Sequence, residues 1–406
     1  MFAVAAMFIL FFSNDFGLID IEKNAIITAV AIDKSIENEY EVSAQIAVPE
    51  ASNNNPENKK ALITGKGSTV GGAIKNIGGI SGWFPKLTFC NLIVIGKSLT
   101  EENIINVLDY FSKTLRIQNS ALVILAEDNG KQLLSCTSPL DNISSFALQK
   151  ILFKIPGFDV DIAPTDIKTF CNDYYSNSQS SFMPLVKTLL QNDSGDGGNS
   201  SGGSSGGSSS NQSAGTSSSS SDSSSSSSAQ SDGNTLFDAT TTALFYKGIK
   251  VGELDMESTL TFNLLTRNVS LTTYELKNQI DGQREKNYLL TILRNTPNMK
   301  LEVTDNEFKV CYYLDVYCKI SDENFPDPDL VYSDNTALSP IVKEKMESQL
   351  TSRIIQLFET IKQTKCDILK IKQNLFRYHY SQYARYKDTY LDVMKTEVHV
   401  NVTGQK

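Results

Sequence analysis

Residues Asn192 to Asp232 read NDSGDGGNSSGGSSGGSSSNQSAGTSSSSSDSSSSSSAQSD. Apart from Ala214 and Ala229, no side chain here is aliphatic or aromatic. The stretch has no apolar surface to set against the entropy cost of ordering, so it reads as a Ser/Gly-rich disordered tether over 192–235. A flexible chain of that length spans about 35 Å on average, the width of a small domain. Two folded parts that need not share one core are therefore expected. The alternative is a long surface loop inserted in one compact unit. On either reading no chemistry sits in it.

The chain has 406 residues, and the parts on either side of the tether are long enough for roughly two to four domains in all. The formal net charge is -9 and there is no basic stripe, which argues against nucleic acid as a partner. Both histidines, His379 and His399, lie near the C-terminus. A His-based triad or a His-rich metal site is hard to assemble in most of the chain. The cysteines are Cys90, Cys136, Cys171, Cys311, Cys318 and Cys366, with no C-x-x-C pair. An even count permits disulfides, but a chain this long does not depend on them for a core. Cys311 and Cys318 share one expected strand at an odd separation, hence on opposite faces. Buried free thiols are the expectation.

Before the tether, Met1–Phe12 (MFAVAAMFILFF) is apolar throughout and Ser13, Asn14 and Asp15 follow. A helix of that length rises about 18 Å, short of the roughly 30 Å hydrocarbon core. Residues 1–15 fit the h-region of an export signal or a membrane anchor. The first lysine is Lys23, so the basic flank is missing and the native chain is expected to start upstream. A buried N-terminal helix or strand of a cytosolic protein is the alternative.

An N-terminal α+β domain is expected over 16–157. Ala25–Asp33 and Tyr40–Val48 are β-branched runs joined by a polar turn, a hairpin signal. Ala61–Gly65 adds a third strand, and Val70, Ile74 and Ile77 stand at helical spacing. Leu87–Ile95 reads as one buried strand. Thr100 reads as the N-cap of a helix with Glu101 and Glu102 in its first turn and an apolar stripe of Ile104, Ile105, Leu108 and Phe111. Ala121–Ala126 is a further strand, and Phe146–Phe153 is helical. Residues 158–191 form a small middle segment, alone or with residues beyond the tether. In it Thr165-Asp166 caps a helix through Tyr174, and Phe182–Leu189 is a strand.

A C-terminal α+β domain is expected over 236–406. Thr240–Tyr246, Val269–Leu276, Lys300–Val303 and Phe308–Cys318 read as strands, the last alternating as one covered face requires. Ser339-Pro340 pairs an N-cap with proline at the first helical position. The helix that follows, to about Lys365, carries Val342, Met346, Leu350, Ile354, Phe358 and Ile361 at steps of three and four. Val398, Val400 and Val402 alternate in a closing or edge strand. The fold class is α+β and multi-domain, with antiparallel or mixed sheets, packed helices and a long C-terminal helix on a sheet.

The ordered set resembles the Ger(x)C family, the C subunits of the nutrient germinant receptors of spore-forming bacteria. The carrying residues are Ala25-Ile26-Ile27, Ala29–Lys34 (AVAIDK), Gly65–Ser68, Phe84-Pro85-Lys86 and Leu92–Gly96 (LIVIG). After the tether they are Thr242–Leu254 (TALFYKGIKVGEL), the closing helix, Asp367-Ile368 and the valine-rich strand up to Gly404. The resemblance implies a three-domain α+β protein, exported and membrane-associated on the outer face of the spore's inner membrane. It implies A and B membrane subunits as partners in the response to amino acids, sugars or nucleosides. The sequence departs from the family in lacking a lipid-bearing cysteine near Asp15, in Asn91 where the family often has His, and in the tether.

Four patterns in the sequence bear on chemistry. Asp322, Glu323, Asp327 and Asp329 cluster, but without the spacing and glycine of an EF-hand, and read as a solvated acidic turn. Glu102 and Asp109 share a helix face about 10 Å apart, at the far limit for a catalytic carboxylate pair. Phe376, Tyr378, Tyr380, Tyr383, Tyr386 and Tyr390, with Arg377, Arg385 and Lys387 between, suit either a ligand surface or a helix stripe packed on the sheet. Gly65-Lys66-Gly67 lacks the rest of a phosphate loop and reads as a turn. No catalytic, metal or cofactor-binding residue is assigned. The expectation is a non-enzymatic receptor subunit, with an exported solute- or envelope-binding protein as the alternative.

Overall fold

The computed structural model of the chain describes residues 24–47, 60–113, 117–153, 160–190, 235–278, 286–323 and 338–404. The 1–15 segment, nearly all of the tether, and Asp327 and Asp329 lie outside them. Asn24–Lys34 (β1) and Tyr40–Ala47 (β2) form the expected hairpin. Lys60–Gly67 (β3) extends it antiparallel. The Thr69 hydroxyl then accepts the Gly72 N–H at 3.1 Å and opens helix Val70–Ser81 (α1). The Gly65-Lys66-Gly67 run is the end of β3 rather than a turn. A Cβ on Gly65 would collide with the Ala73 carbonyl, so glycine lets α1 lie directly on the strand.

Phe84–Lys86 (β4) runs parallel beside β1. The apolar run from Leu87 to Ile95 is not one strand. Leu87–Phe89 is a 3-10 turn, and only Leu92–Ile95 (β5) is extended. Leu87 and Cys90 are both buried at a spacing of three, which a turn satisfies and a strand does not. Thr100 is likewise not a helix cap. It closes a second 3-10 turn, and helix Ile105–Lys113 (α2) begins where the Asn103 side chain accepts the Ile105 N–H at 3.0 Å. Leu122–Ala126 (β6), Gly130–Ser135 (α3), Ser144–Leu152 (α4) and Ile167–Tyr174 (α5) follow. Asp166 caps α5 as expected, taking the Thr169 N–H at 2.6 Å.

Ser180–Leu190 (β7) lies before the Ser/Gly stretch and Thr235–Tyr246 (β8) after it, yet they pair antiparallel from Ser180↔Tyr246 to Leu190↔Thr235. Lys247 and Gly248, both at positive φ, turn β8 into Ile249–Leu254 (β9). The sheet order is β3-β2-β1-β5-β6-β7-β8-β9, with β4 on β1. The boundary expected at 235/236 falls within β8, and the one at 157/158 lies outside the described residues. Strand β7 of the 158–191 segment pairs with β8 beyond the stretch, one of the two arrangements expected for that segment. Helices α1, α2 and α5 cover one face of this sheet, and α3 and α4 the other.

The second lobe starts with Met256–Thr266 (α6). Thr272–Asn278 (β10), Lys286–Val303 (β11) and Phe308–Glu323 (β12) form an antiparallel meander. Pro340–Thr364 (α7) follows, with the Ser339 hydroxyl accepting the Val342 N–H at 3.3 Å. Its expected stripe, Val342 to Ile361, is buried in the lobe's core. Ile371–Tyr378 (α8), Tyr380–Tyr386 (α9) and Tyr390–Val393 (α10) lead to Lys395–Gly404 (β13). This last strand sits at the edge, parallel to β12, so the second sheet is mixed. A parallel neighbour needs a long crossover, which α7 to α10 supply. The fold is α+β with two mixed sheets.

Candidate functional site

The lobes meet at a closed seam and at an open cleft. The seam is built on Asp367, between a left-handed Lys365 that ends α7 and a left-handed Lys370 that precedes α8. Asp367 is fully buried. Its carboxylate accepts the Ile371 N–H at 2.9 Å and the Lys372 N–H at 2.8 Å, so it caps α8. It also accepts the hydroxyls of Ser178 at 2.8 Å and Tyr390 at 3.2 Å. All four donors are neutral, and burial pushes this carboxyl above its ordinary range. The Asp367 N–H donates to Ser180 Oγ at 2.8 Å, and Cys366 Sγ lies 3.3 Å from the Phe245 carbonyl. Nearby, Lys370 pairs with buried Asp173 at 2.7 Å, and the Asn177 N–H donates to Gln373 Oε1 at 3.1 Å. Burial outweighs Lys370 and pushes Asp173 up as well. The seam is polar and shut, with the Asp367 carboxylate fully engaged by its donors.

The cleft has a volume of about 590 Å³ and opens at the amino ends of β5 and β6, where Asn91 and Ser120 stand. The end of α4 and residues 160–164 form one wall, and Arg267 to Val269, between α6 and β10, face it. Two buried asparagines fix that arrangement. Asn263 on α6 donates to the carbonyls of Val160 at 2.6 Å and Ile162 at 3.0 Å. Asn295, beside a register shift in β11, donates to the Leu264 and Arg267 carbonyls and accepts the Val269 N–H at 2.6 Å. The half-buried Arg267 side chain donates to the Pro164 carbonyl at 3.3 Å. Burial lowers its guanidinium from the ordinary value. Nothing in the sequence singled out Arg267, because a lone arginine after a helix has no pattern around it.

The acidic and aromatic patterns of the sequence resolve into ion pairs, a strand end and a stripe shared between core and surface. Glu102 pairs with Lys34 and Asp109 with Lys113, so the two carboxylates serve separate ion pairs. Asp322 accepts the Glu323 N–H at the end of β12, and no group of three metal-ligating side chains occurs among the described residues. The aromatic run spans three short helices. Tyr386 and Tyr390 are buried against Phe308, whereas Tyr378 and Tyr380 are exposed, and Phe376 packs edge-on against Tyr380 and Tyr383. The stripe is half core and half surface. His399 stacks on Tyr313 and pairs with Glu397, on the strand beside Cys311 and Tyr313. All six cysteines are thiols outside any disulfide; Cys136 and Cys171 are only partly buried, and burial pushes Cys90, Cys318 and Cys366 up to about 12.

Two family models match the chain. The spore germination protein N-terminal domain matches residues 18–188, and the spore germination B3/GerAC-like C-terminal domain matches residues 240–405. Among solved structures, the chain is similar to the crystal structure of the GerBC protein at 14% sequence identity and a TM-score of 0.51. That likeness covers 95% of this chain and 100% of the other, and at such identity it speaks for the fold alone. Comparison with curated proteins gives no match.

Proposed function

The chain belongs to the GerAC family of spore germination proteins, and on that premise we propose that it is the C subunit of a nutrient germinant receptor. The observation that carries this reading is the order and reach of the two family matches, one on each side of the Ser/Gly stretch. We read it as non-catalytic and membrane-associated, exported to the outer face of the spore's inner membrane, where it works with A and B membrane subunits. The saturation of Asp367 by structural donors supports a binding or scaffolding role over catalysis.

A surface patch supports contact with a membrane. Ile80, Trp83, Phe84 and Phe89 are exposed beside the start of β1, with Lys75 and Lys86 exposed among them. Aromatic rings with lysines suit the headgroup boundary of a bilayer. The apolar run Met1–Phe12 is separated from β1 by residues 13–23, a reach of at most roughly 40 Å. Among the described residues no helix is long and apolar enough to cross a membrane. The test uses spores from which this chain alone is deleted. Germination with the cognate nutrient is expected to fall while a non-nutrient trigger still works. Unchanged nutrient germination rejects the receptor role.

A further inference from the structure

Arg267 holds donors that the fold leaves unused. A guanidinium presents five N–H donors in a rigid fork. The Pro164 carbonyl takes one of them, in a bond at the long end of the range, and burial lowers the guanidinium from its ordinary value. Partly burying an unpaired cation is costly, yet Asn263 and Asn295 lock the surrounding backbone in place with buried hydrogen bonds. A guanidinium on a fixed backbone, with most of its fork free, is set up for a ligand.

We infer that the cleft binds a small organic carboxylate, Arg267 taking the carboxylate in its fork while Leu122, Ile151, Val160, Ile162 and Val269 cover an apolar body. The charge balance selects this class. Among the described residues on the cleft, Arg267 is the only cation and Asp166 the only carboxylate. A phosphate dianion brings two charges to one guanidinium, whereas a monoanion is matched by a planar bidentate pair; Asp166, which caps α5, opposes either anion and the dianion more. The walls are mostly aliphatic, which favours a ligand with a hydrocarbon part over a bare ion. A volume of about 590 Å³ suits one small molecule. The walls come from both lobes, so an occupant bridges them. The inference goes beyond the receptor role and does not rest on it.

The test is titration calorimetry on the full chain with sodium hexanoate and sodium benzoate, each up to about 10 mM. Hexanamide, benzamide and inorganic phosphate are the comparison probes. At least one carboxylate is expected to bind, and its amide at least tenfold more weakly. Arg267→Gln is expected to lose binding at least tenfold. Ser120→Trp fills the cleft mouth from an exposed position and is expected to abolish binding with the fold intact, which decides the matter should R267Q fail to fold. No binding by either carboxylate, equal binding by the amides, stronger binding by phosphate, or full binding in S120W each overturns the inference. The deletion experiment on germination is untouched by any of these results.

Discussion

In the first sheet Leu92–Ile95 and Leu122–Ala126 are buried residue after residue, whereas in the second Val310, Tyr312, Leu314, Val316 and Cys318 are inside while Tyr313 and Asp315 are exposed. Helices on both faces impose the first pattern and one covered face the second. The parallel strands β1, β5, β6 and β7 thus sit in a three-layer lobe, and the second lobe has two layers resting mainly on α7. The two are not separate cores. On β7, Phe182 packs into the second lobe, Met183 and Leu185 into one face of the first, and Val186 into the other. Each lobe is distinct in architecture, and the pair is joined through shared strands.

The dependence of the second lobe on one helix gives the largest effect. Ile354→Asp in α7 places a carboxylate where the side chain is fully buried. It is expected to cost roughly 4–5 kcal/mol or more. Far-UV circular dichroism follows the whole chain, while the single tryptophan, Trp83, reports the first lobe by fluorescence. The circular dichroism midpoint is expected to fall steeply and the Trp83 midpoint less. Equal shifts would show one cooperative unit, and no shift would place the stripe in water.

The seam offers a smaller, pH-dependent break. Asp367→Ala strands four donors and is expected to cost about 3 kcal/mol. Burial raises the folded carboxyl above its unfolded value of about 4. The folded chain then holds a proton that the unfolded chain has lost. The associated stability is full below the unfolded value and is lost as pH rises through the folded one. Asp33 and Asp173 are raised by burial too, so Asp367→Asn should shrink this downward slope rather than remove it. Urea midpoints measured across that pH range check it, and an unchanged slope in D367N rejects the assignment.

What the sequence made legible follows from the same contrast. The α7 stripe and the alternation of β12 are periodic, so their partners could be read without seeing them. A continuous apolar run carries no period, and Leu87–Ile95 hid a turn for that reason. Thr100 looked like a cap because capping chemistry was local, while Asn103 won through a contact that spacing alone did not rank. Pairing between β7 and β8 was illegible because nothing in a Ser/Gly stretch says whether its ends are near or far. Arg267 and the saturation of Asp367 depend on residues more than a hundred positions away, Pro164 and Ser178 among them.

The smallest expected effect is the most informative about how the lobes are joined. If the stretch linked independent bodies, shortening it would restrict them. If it closes β7 onto β8, its ends are already neighbours at Leu190 and Thr235, and a short loop spans them. Cutting residues 192–232 to about ten halves the loop roughly twice, and each halving relieves about 0.6 kcal/mol of closure entropy. The expected outcome is a gain near 1 kcal/mol, seen as a slightly raised Trp83 midpoint, since Trp83 directly precedes β4, which pairs with β1 in the sheet that contains β7 and β8. A chain clipped within the stretch should also stay together on gel filtration without denaturant, because β8 and β9 remain paired in the first sheet. Separation of the two pieces, or a loss of several kcal/mol on shortening, would break the shared-strand account and restore a division at the Ser/Gly stretch.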